Sequence, residues 1–423
     1  MIELRTPPMG WNSWDCYGAS VTEEEVKQNA LYMAKHLKDY GWEYVVVDIQ
    51  WYEPTANSSW YHKFARLEMD EYSRLMPAVN RFPSAKDGKG FKELADFVHS
   101  LGLKFGIHIM RGIPRQAVHM NTKILGTDYT ESDIAHPNSI CPWNTDMYGV
   151  DPNHPGSQIY YNSLFDLYAS WGVDFVKVDD IAASRLYYFH EAEIKMIRKA
   201  IEQCGRDIVL SLSPGPAPLE KAHVFLENAN MWRMTDDFWD HWPALLNMFE
   251  QCHKWSSYVQ PGHYPDCDML PIGHIGIRNY DNGGDRYTNF TKDEQLTMLS
   301  LWCIFRSPLM VGCELNDNDE FTLSLLTNKD LIEMLKNTHS SHQVLRTPHE
   351  VVWTSTHLNG DRYLALFNIS DEVREITFPL HKIYLPNTCH YLDIWTKEQG
   401  IINDVVKRTI NPHGVCLLRL TTK

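Results

Sequence analysis

Acidic and basic residues stand within or just after short apolar runs of this chain, where they could act as catalytic groups. The run YVVVDIQW carries Asp48, FVKVDD carries Lys177 and Asp179, and WRMTDD carries Arg233 and Asp237. A buried strand tolerates such groups only if they are paired or put to use, because an isolated charge is costly to desolvate. Carboxylates in this setting suit general acid–base or nucleophilic chemistry.

The FVKVDD run is informative because side chains alternate along a strand, so Lys177 and Asp179 share one face. A neighbouring ammonium favours the ionised form of Asp179. An ionised carboxylate beside a substrate would be a nucleophile or an electrostatic stabiliser. The alternative interpretation is a buried Lys–Asp ion pair without a chemical role.

A second pair of carboxylates, Asp236 and Asp237, lies in an aromatic-rich segment, WRMTDDFWDHW. Low polarity and mutual repulsion would hold one of these carboxyl groups protonated, as a general acid must be. The alternative is an ordinary solvated acidic loop. Two carboxylates that flank a sugar bond make a glycosidase, and the fourteen tryptophans fit stacking on sugar rings.

The elements that must position these groups follow one recurring pattern, an amphipathic helix that ends near a glycine and precedes a short apolar strand. In the first example, Thr22 and Glu25 form a capping box, Gly41 ends the helix, and a strand begins at Tyr44. Repeated units of this kind indicate a parallel sheet covered by helices. Eight strands are predicted in residues 1–337, which favours an α/β fold, a (β/α)8 TIM barrel. The predicted strands lie in MGWNSW, YVVVDIQW, FGIHIM, FVKVDD, IVLSLS, ANMWRMTDD, YPDCDML and SPLMVGCEL.

Residues 338–423 show no helical period and contain short β-rich runs, so they are predicted to form a C-terminal antiparallel β-sandwich domain. The stretch HSSHQVLRTPHE is interpreted as a connector. Asn359-Gly360 between two apolar runs is a hairpin signal. The predicted strands lie in VVWTSTHL, RYLALFNI, VREITF, YLDIW and GVCLLRL.

Composition excludes several classes of protein. The 423 residues include 39 Lys and Arg against 54 Asp and Glu, a net charge of −15 that argues against a nucleic acid or an anionic membrane as partner. No apolar stretch is long enough to span a membrane. Nine widely spaced cysteines without a CxxC, and a start without a signal-peptide pattern, predict reduced thiols in a cytoplasmic protein. No HExxH, GxGxxG or Walker A pattern occurs, so the sequence has no signature of this kind for a metal site or for nucleotide binding.

Seven of these motifs together resemble those of glycoside hydrolase family 27, the retaining α-galactosidases and α-N-acetylgalactosaminidases. They follow the family's order across nearly the whole chain, which makes the resemblance specific although each motif alone is weak. The motifs are TPPMGWNSWDCYG, VVVDIQW, FVKVDD, WRMTDD, GHYPDCDMLPIG, LWCIFRSPLMVGCEL and PHGVCLLRL.

The resemblance implies neither a metal nor an organic cofactor, and it implies roles for individual residues. Asp179 matches the nucleophile, which forms a covalent glycosyl-enzyme intermediate. Asp237 matches the acid/base, which first protonates the leaving group and then activates water. The other matching residues are expected to bind the sugar. They are Trp14 at the pocket wall, Asp48 on the O4/O6 side, and Lys177 and Arg233 as hydroxyl ligands.

Three departures from the family pattern bear on the sugar. The usual Asp-Asp pair is Asp48-Ile49 here, so one galactose ligand is missing. A tyrosine usual on the third strand is His108, and we expect His108 or Arg111 to replace the lost contact. Ser213 aligns with the serine that leaves room for a 2-acetamido group in the N-acetylgalactosaminidases, which favours α-N-acetylgalactosaminidase activity on terminal galactose-type sugars.

Several alternatives remain open at the level of sequence. An α-galactosidase or a β-L-arabinopyranosidase of the same family would use the same carboxylates, and arabinopyranose matches galactose but lacks C6. A carbohydrate-binding protein without catalysis belongs to a different class. So does a metal-dependent barrel hydrolase, against which the cation Lys177 beside Asp179 counts. The substrate is expected to be a small glycoside or an oligosaccharide, and a homodimer is open because some family members dimerise.

Overall fold

The computed structural model describes residues 2, 4–184, 186 and 188–422, and its larger unit is the predicted (β/α)8 barrel. Eight parallel strands each lead into at least one helix. The strands are β1 Met9–Asn12, β2 Tyr44–Val47, β3 Lys104–Met110, β4 Phe175–Asp179, β5 Val209–Leu212, β6 Met231–Arg233, β7 Tyr264–Asp266 and β8 Leu309–Val311. The helices are α1 Glu23–His36, α2 Lys92–Ser100, α3 Pro155–Trp171, α4 Glu191–Gln203, α5 Ala222–Asn228, α6 Trp242–Trp255, α7 Lys292–Phe305, α8 Glu320–Leu326 and α9 Lys329–Asn337.

The strands pair in chain order from β1 to β7, and β8 pairs with β1. The ring closes just beyond β7, where Leu270 forms a parallel bridge with Val311 and the Leu270 N–H donates to the Met310 carbonyl at 2.8 Å. Closure brings all eight carboxyl ends to one mouth, the place where barrel enzymes build their sites. The (β/α)8 prediction is therefore confirmed.

Local sequence explains how the helices begin and which face they bury. In α1 the Thr22 N–H donates to the Glu25 carboxylate at 2.9 Å, and the Glu25 N–H donates to the Thr22 hydroxyl at 3.4 Å, as the capping box predicts. Val26, Ala30 and Met33 are buried against the barrel. These residues lie three or four positions apart, which keeps them on one helical face.

Two long segments cover the mouth of the barrel. Residues 48–91 follow β2, and residues 111–154 follow β3. Short strands and helices lie within the segment after β3, and others follow β1 and β7. They are Trp14–Tyr17, Ile113–Pro114, Arg115–Met120, Glu131–Ile134, Ala135–Ile140, Met147–Val150, His274–Ile275 and Arg286–Tyr287.

The C-terminal part is an antiparallel sandwich, as predicted. One sheet has the strand order β9-β10-β11-β16-β13-β14, and a second sheet pairs β12 with β15. Apolar residues from both sheets, such as Leu366 and Phe378, form a core between them. The strands are β9 Thr338–Arg346, β10 Glu350–His357, β11 Arg362–Asn368, β12 Arg374–Pro379, β13 Thr388–Asp393, β14 Gln399–Asn403, β15 Val405–Ile410 and β16 Val415–Thr421.

The interpretation of HSSHQVLRTPHE as a connector is wrong, because most of it forms the edge strand β9. Its side chains are mostly exposed or half-buried, so an edge strand of this kind carries no apolar alternation that could reveal it. Strands β14 and β15 were missed as well, because polar and charged residues surround their few buried apolar side chains. The hairpin at Asn359-Gly360 is confirmed, since β10 and β11 pair through Thr356 and Arg362. The boundary between residues 337 and 338 stays a prediction.

The barrel and the sandwich share one hydrophobic core. Phe249 of α6 packs on Phe367 of β11 with ring centroids 4.9 Å apart. The Trp395 indole N–H donates to the Ser300 hydroxyl of α7 at 2.8 Å. Within the described part of the chain, no helix has the length and apolar character needed to cross a membrane.

Candidate active site

The site lies in a cavity of about 760 Å³ at the carboxyl ends of the barrel strands. Six of the nine predicted site residues line it together: Trp14, Asp48, Lys177, Asp179, Arg233 and Asp237. They come from four different strand ends, far apart in sequence: β1, β2, β4 and β6. Only closure of the barrel brings them into one wall.

Asp48 and Lys177 form a buried ion pair at the floor of this cavity. Asp48 Oδ2 accepts hydrogen bonds from Lys177 Nζ at 3.0 Å and from Asn12 Nδ2 at 2.8 Å. Burial alone would raise the pKa of Asp48, but the charge of Lys177 and the nearby His108 lower it below its ordinary value. The carboxylates Asp48 and Asp179 in turn raise the pKa of Lys177 in spite of its burial. The floor therefore offers a fixed carboxylate and a fixed ammonium to the hydroxyls of a ligand.

Asp179, at the end of β4, is held as a carboxylate. The His108 Nε2–H donates to Asp179 Oδ2 at 3.1 Å, and the Asp180 N–H donates to Oδ1 at 2.8 Å. Burial would raise the pKa of Asp179, but these hydrogen bonds, the His108 ring and the charge of Lys177 bring it down to about 2. A carboxylate in this state can act as a nucleophile at neutral pH.

His108 is placed differently from the prediction that it would contact the sugar. Its side chain has no exposed surface, and it is not part of the cavity wall. His108 pairs in register with Lys177 on β4, and its Nε2 contacts the carboxylate of Asp179, two residues further along that strand. The buried imidazole therefore holds the Asp179 carboxylate without itself reaching the cavity.

Arg111 also lies outside the cavity, which does not agree with the prediction that it would replace a lost sugar contact. Its guanidinium is buried and forms ion pairs with Asp180 and Glu193, both at 3.0 Å, and its Nε–H donates to the Asp180 carbonyl at 2.7 Å. The chain turns after β3, and the side chain points toward helix α4 instead of the mouth. Arg111 therefore braces the segment that follows Asp179.

Ser213 is the third predicted ligand that is absent from the cavity wall. Its side chain is buried and its hydroxyl donates to the Val178 carbonyl at 3.4 Å. The residues that follow it, Pro214, Gly215 and Pro216, line the cavity instead. The serine therefore gives no direct support for an acetamido group at this position.

Asp237 lines the same cavity, and Arg233 contacts both Asp237 and Asp268. Arg233 Nη2 lies 3.1 Å from Asp237 Oδ1 and 2.7 Å from Asp268 Oδ2. The Asp237 side chain is 59% exposed, so the low-polarity surroundings expected for it are absent. Burial raises the pKa of Asp268 to about 7 despite the charge of Arg233. Of the two carboxyls that Arg233 contacts, Asp237 is exposed and Asp268 is buried.

The sequence reasoning missed Asp15, a buried carboxyl in the cavity wall that follows Trp14. Burial and the nearby Asp268 raise the pKa of Asp15 well above its ordinary value. Gly312 leaves the space for it, since a Cβ at Gly312 would lie 2.3 Å from Asp15 Oδ2. No period or charge pattern marks Asp15, which sits in a short helix after β1.

Aromatic residues of the long segment after β2 were missed as well. Tyr61 stacks on Trp14 with ring centroids 6.1 Å apart and lies 5.6 Å from the Trp143 ring. Trp60 also lines the cavity. An irregular loop has no periodicity, so only the tertiary structure reveals which of its rings face the site.

Comparison with known proteins agrees with this geometry. The family model described as "Alpha galactosidase A" matches residues 6–153 and 144–337, and the model described as "Alpha galactosidase C-terminal beta sandwich domain" matches residues 349–420. This chain belongs to glycoside hydrolase family 27. It is therefore a glycoside hydrolase, with Trp14, Asp48, Lys177, Asp179, Arg233 and Asp237 in one pocket.

Among members of family 27, the β-L-arabinopyranosidase of Geobacillus stearothermophilus has a crystal structure with a TM-score of 0.98 and 65% identity, covering 99% of this chain and 96% of that one. A Bacillus halodurans protein with a provisional α-N-acetylgalactosaminidase name has a TM-score of 0.91 and 56% identity, with both chains covered completely. Alpha-galactosidase 2 of Arabidopsis thaliana is 30% identical over 328 residues, which are 77% of this chain and 66% of that one.

Proposed function

We propose that this protein is a retaining, exo-acting β-L-arabinopyranosidase. The observation that carries the choice of sugar is Ile49, which lies in the cavity wall directly after Asp48. Family 27 enzymes for galactose usually have an aspartate there, on the O4/O6 side. An isoleucine offers no hydrogen bond to a C6 hydroxyl and fills the space beside it. A ring with galactose-like hydroxyls and no C6 fits this wall.

The proposed reaction is a double displacement. Asp179 attacks the anomeric carbon while the bond to the leaving oxygen breaks, and Asp237 gives that oxygen its proton. Asp237 then takes a proton from water, whose oxygen attacks the same carbon and releases the sugar from Asp179. Lys177 and Asp48 hold ring hydroxyls, and Arg233 orients Asp237 through its 3.1 Å contact.

The α-N-acetylgalactosaminidase activity favoured by the sequence is not part of this proposal. That preference depended on Ser213, and the Ser213 hydroxyl bonds to the backbone of β4 outside the cavity. We also propose that the protein is cytoplasmic, because its nine cysteine thiols are unpaired and eight of them are buried.

The choice of sugar is tested with p-nitrophenyl glycosides of β-L-arabinopyranose, α-D-galactose and α-N-acetylgalactosamine. We expect kcat/KM for the arabinopyranoside to exceed that for the galactoside by about 10- to 200-fold, the range for one carbon group that a pocket does not accommodate. Ile49→Asp should narrow this ratio, and Ile49→Val should keep it as the matched apolar control. A preference of the native protein for either of the other sugars would overturn the proposal.

The mechanism is tested separately. Asp179→Ala and Asp237→Ala should each abolish turnover of a disaccharide while thermal unfolding remains cooperative. NMR of the first-formed sugar should show the anomeric configuration of the substrate. An inverted product would contradict the double displacement, and undiminished activity after chelation would exclude a metal-dependent reaction.

A further inference from the structure

Asp240 is a buried carboxylate that lies three residues after Asp237 and outside the wall of the active-site cavity. The residue is 3% exposed. The preceding residues Asp236, Asp237, Phe238 and Trp239 line the cavity, and Asp240 does not. A buried carboxylate is costly unless charged donors replace the water that it lost. The proposed catalysis makes no direct use of this group.

Arg286 binds the Asp240 carboxylate with two nitrogens. Its Nη2–H donates to Oδ1 at 2.6 Å, and its Nε–H donates to Oδ2 at 3.3 Å. The Asn289 N–H donates to the same Oδ2 at 2.6 Å. The guanidinium carbon of Arg286 also lies 5.9 Å from the ring centroid of Trp239. Pairing of a planar guanidinium through two nitrogens fixes direction as well as distance, so it holds this carboxylate in one orientation.

Arg286 belongs to a hairpin that follows β7 and is anchored to two other parts of the barrel mouth. The Gly276 N–H of this hairpin donates at 2.9 Å to the Asp15 carbonyl, in the short helix after β1. The Glu314 N–H, in the segment after β8, donates to the His274 carbonyl at 2.9 Å. The guanidinium therefore reaches the carboxylate from a base that is itself held in place.

Asp237 lies in the loop that this ion pair restrains. Directly after it, the Phe238 N–H donates to Asp268 Oδ2 at 2.7 Å. The Asp237 side chain is 59% exposed and contacts Arg233 at 3.1 Å, so its position depends mainly on the course of the loop. A general acid must lie within hydrogen-bond reach of the oxygen that it protonates, and a displacement of about 1 Å can cost about 100-fold in rate.

We propose that Asp240, held by Arg286, is a positioning residue for Asp237. This inference rests on the proposed function, because it takes Asp237 to be the acid that protonates the leaving oxygen. Neither Asp240 nor Arg286 lines the cavity, so both act through Asp237. They therefore affect proton transfer to the leaving group more than the attack by Asp179.

The test compares two β-L-arabinopyranosides that differ in their need for a proton, a 2,4-dinitrophenyl glycoside and a methyl glycoside. Dinitrophenolate departs without a proton, whereas the methyl glycoside requires one at its leaving oxygen. Asp240→Asn and Arg286→Gln should each lower kcat/KM for the methyl glycoside by about 10- to 100-fold, and that for the dinitrophenyl glycoside by less than about twofold. Two variants are used so that the test does not depend on the folding of one.

Two further variants separate positioning from a general loss of structure. Arg286→Lys should restore part of the loss, because an ammonium supplies the charge without the fork of the guanidinium. Arg206→Gln is the matched control and should not discriminate between the two glycosides. Arg206 forms an ion pair with Asp174 at 2.5 Å, at the opposite, amino end of β4.

Asp237→Ala is the reference, since removal of the acid should produce the largest difference between the two glycosides. If the native protein hydrolyses neither glycoside, or if Asp237→Ala lowers kcat/KM for both equally, the proposed function fails and the inference fails with it. If Asp237→Ala discriminates between the glycosides but Asp240→Asn and Arg286→Gln lower both equally or change neither, the proposed function stands and the positioning role is wrong.

Discussion

At the scale of single residues, the charge of Asp179 depends on a side chain that no ligand reaches. Lys177 shares a strand face with Asp179, yet Lys177 makes its hydrogen bond to Asp48. The direct partner of Asp179 is His108, at 3.1 Å. A buried carboxylate keeps its charge only where donors replace the water that it lost. We therefore expect His108 to act as a positioning residue for Asp179, the proposed nucleophile.

We predict that His108→Phe raises the pKa of Asp179, because burial raises this pKa and the hydrogen bond from His108 opposes it. A carboxylate with a higher pKa is protonated earlier as the pH falls. The acid limb of the kcat/KM profile should move to higher pH by about 1 to 2 pH units, the equivalent of one charged hydrogen bond. His99→Phe is the control, because His99 pairs with Asp174 at 2.7 Å outside the cavity wall. An unchanged acid limb in His108→Phe would refute the positioning role.

At the scale of elements, Arg111 connects the end of β3 to the segment after β4 and to α4. It contacts two carboxylates, Asp180 and Glu193, and all three side chains are buried. Burial raises the pKa of Asp180 to about 7 although Arg111 opposes this rise. Asp180 directly follows Asp179, the proposed nucleophile, so these contacts of Arg111 also help to position Asp179.

We predict that Arg111→Met lowers the free energy of unfolding by about 3–5 kcal/mol, because it leaves two buried carboxylates without their cation. Urea denaturation monitored by circular dichroism at neutral pH measures this change. Lys195→Ala is the control. Lys195 lies on α4, the helix that carries Glu193, and it pairs with Glu191 on the surface, so its loss should leave the urea midpoint unchanged. If Arg111→Met lowers the free energy of unfolding no more than the control does, the guanidinium does not stabilise the two buried carboxylates.

At the scale of the whole molecule, the barrel depends on the sandwich for part of its core. Helix α7 lies between the barrel and the C-terminal sheet, and Thr297 donates to the His413 carbonyl at 2.7 Å. The His413 ring stacks on Trp242 with centroids 3.7 Å apart. Such a shared apolar interface couples the unfolding of two units that could otherwise unfold separately.

We predict that Phe367→Ala, a change in the sandwich, lowers the temperature at which glycosidase activity is lost. The substitution opens a cavity against Phe249 of α6 and should cost about 3–5 kcal/mol. Calorimetry should show a single transition in both the native protein and the variant. Tyr384→Ala, at a residue that is 91% exposed, is the control and should have no effect. If Phe367→Ala shows a second calorimetric transition and loses activity at the same temperature as the native protein, the barrel unfolds independently of the sandwich.

The sequence by itself determined the fold class and six of the nine predicted pocket residues. Strand periods and helix caps are local, and parallel strands in a closed barrel necessarily bring their carboxyl ends together. Asp48, Lys177 and Asp179 could therefore be predicted to meet without any coordinates. The family motifs added Trp14, Arg233 and Asp237 to the same wall.

Only the tertiary structure decided which polar groups near those strand ends face the ligand. The His108 ring is buried against the Asp179 carboxylate, Arg111 turns toward α4, and the Ser213 hydroxyl bonds to β4. Trp60 belongs to an irregular segment whose course is set by contacts with residues far away in sequence. Side-chain direction after a strand ends depends on packing between elements, and no local pattern encodes it.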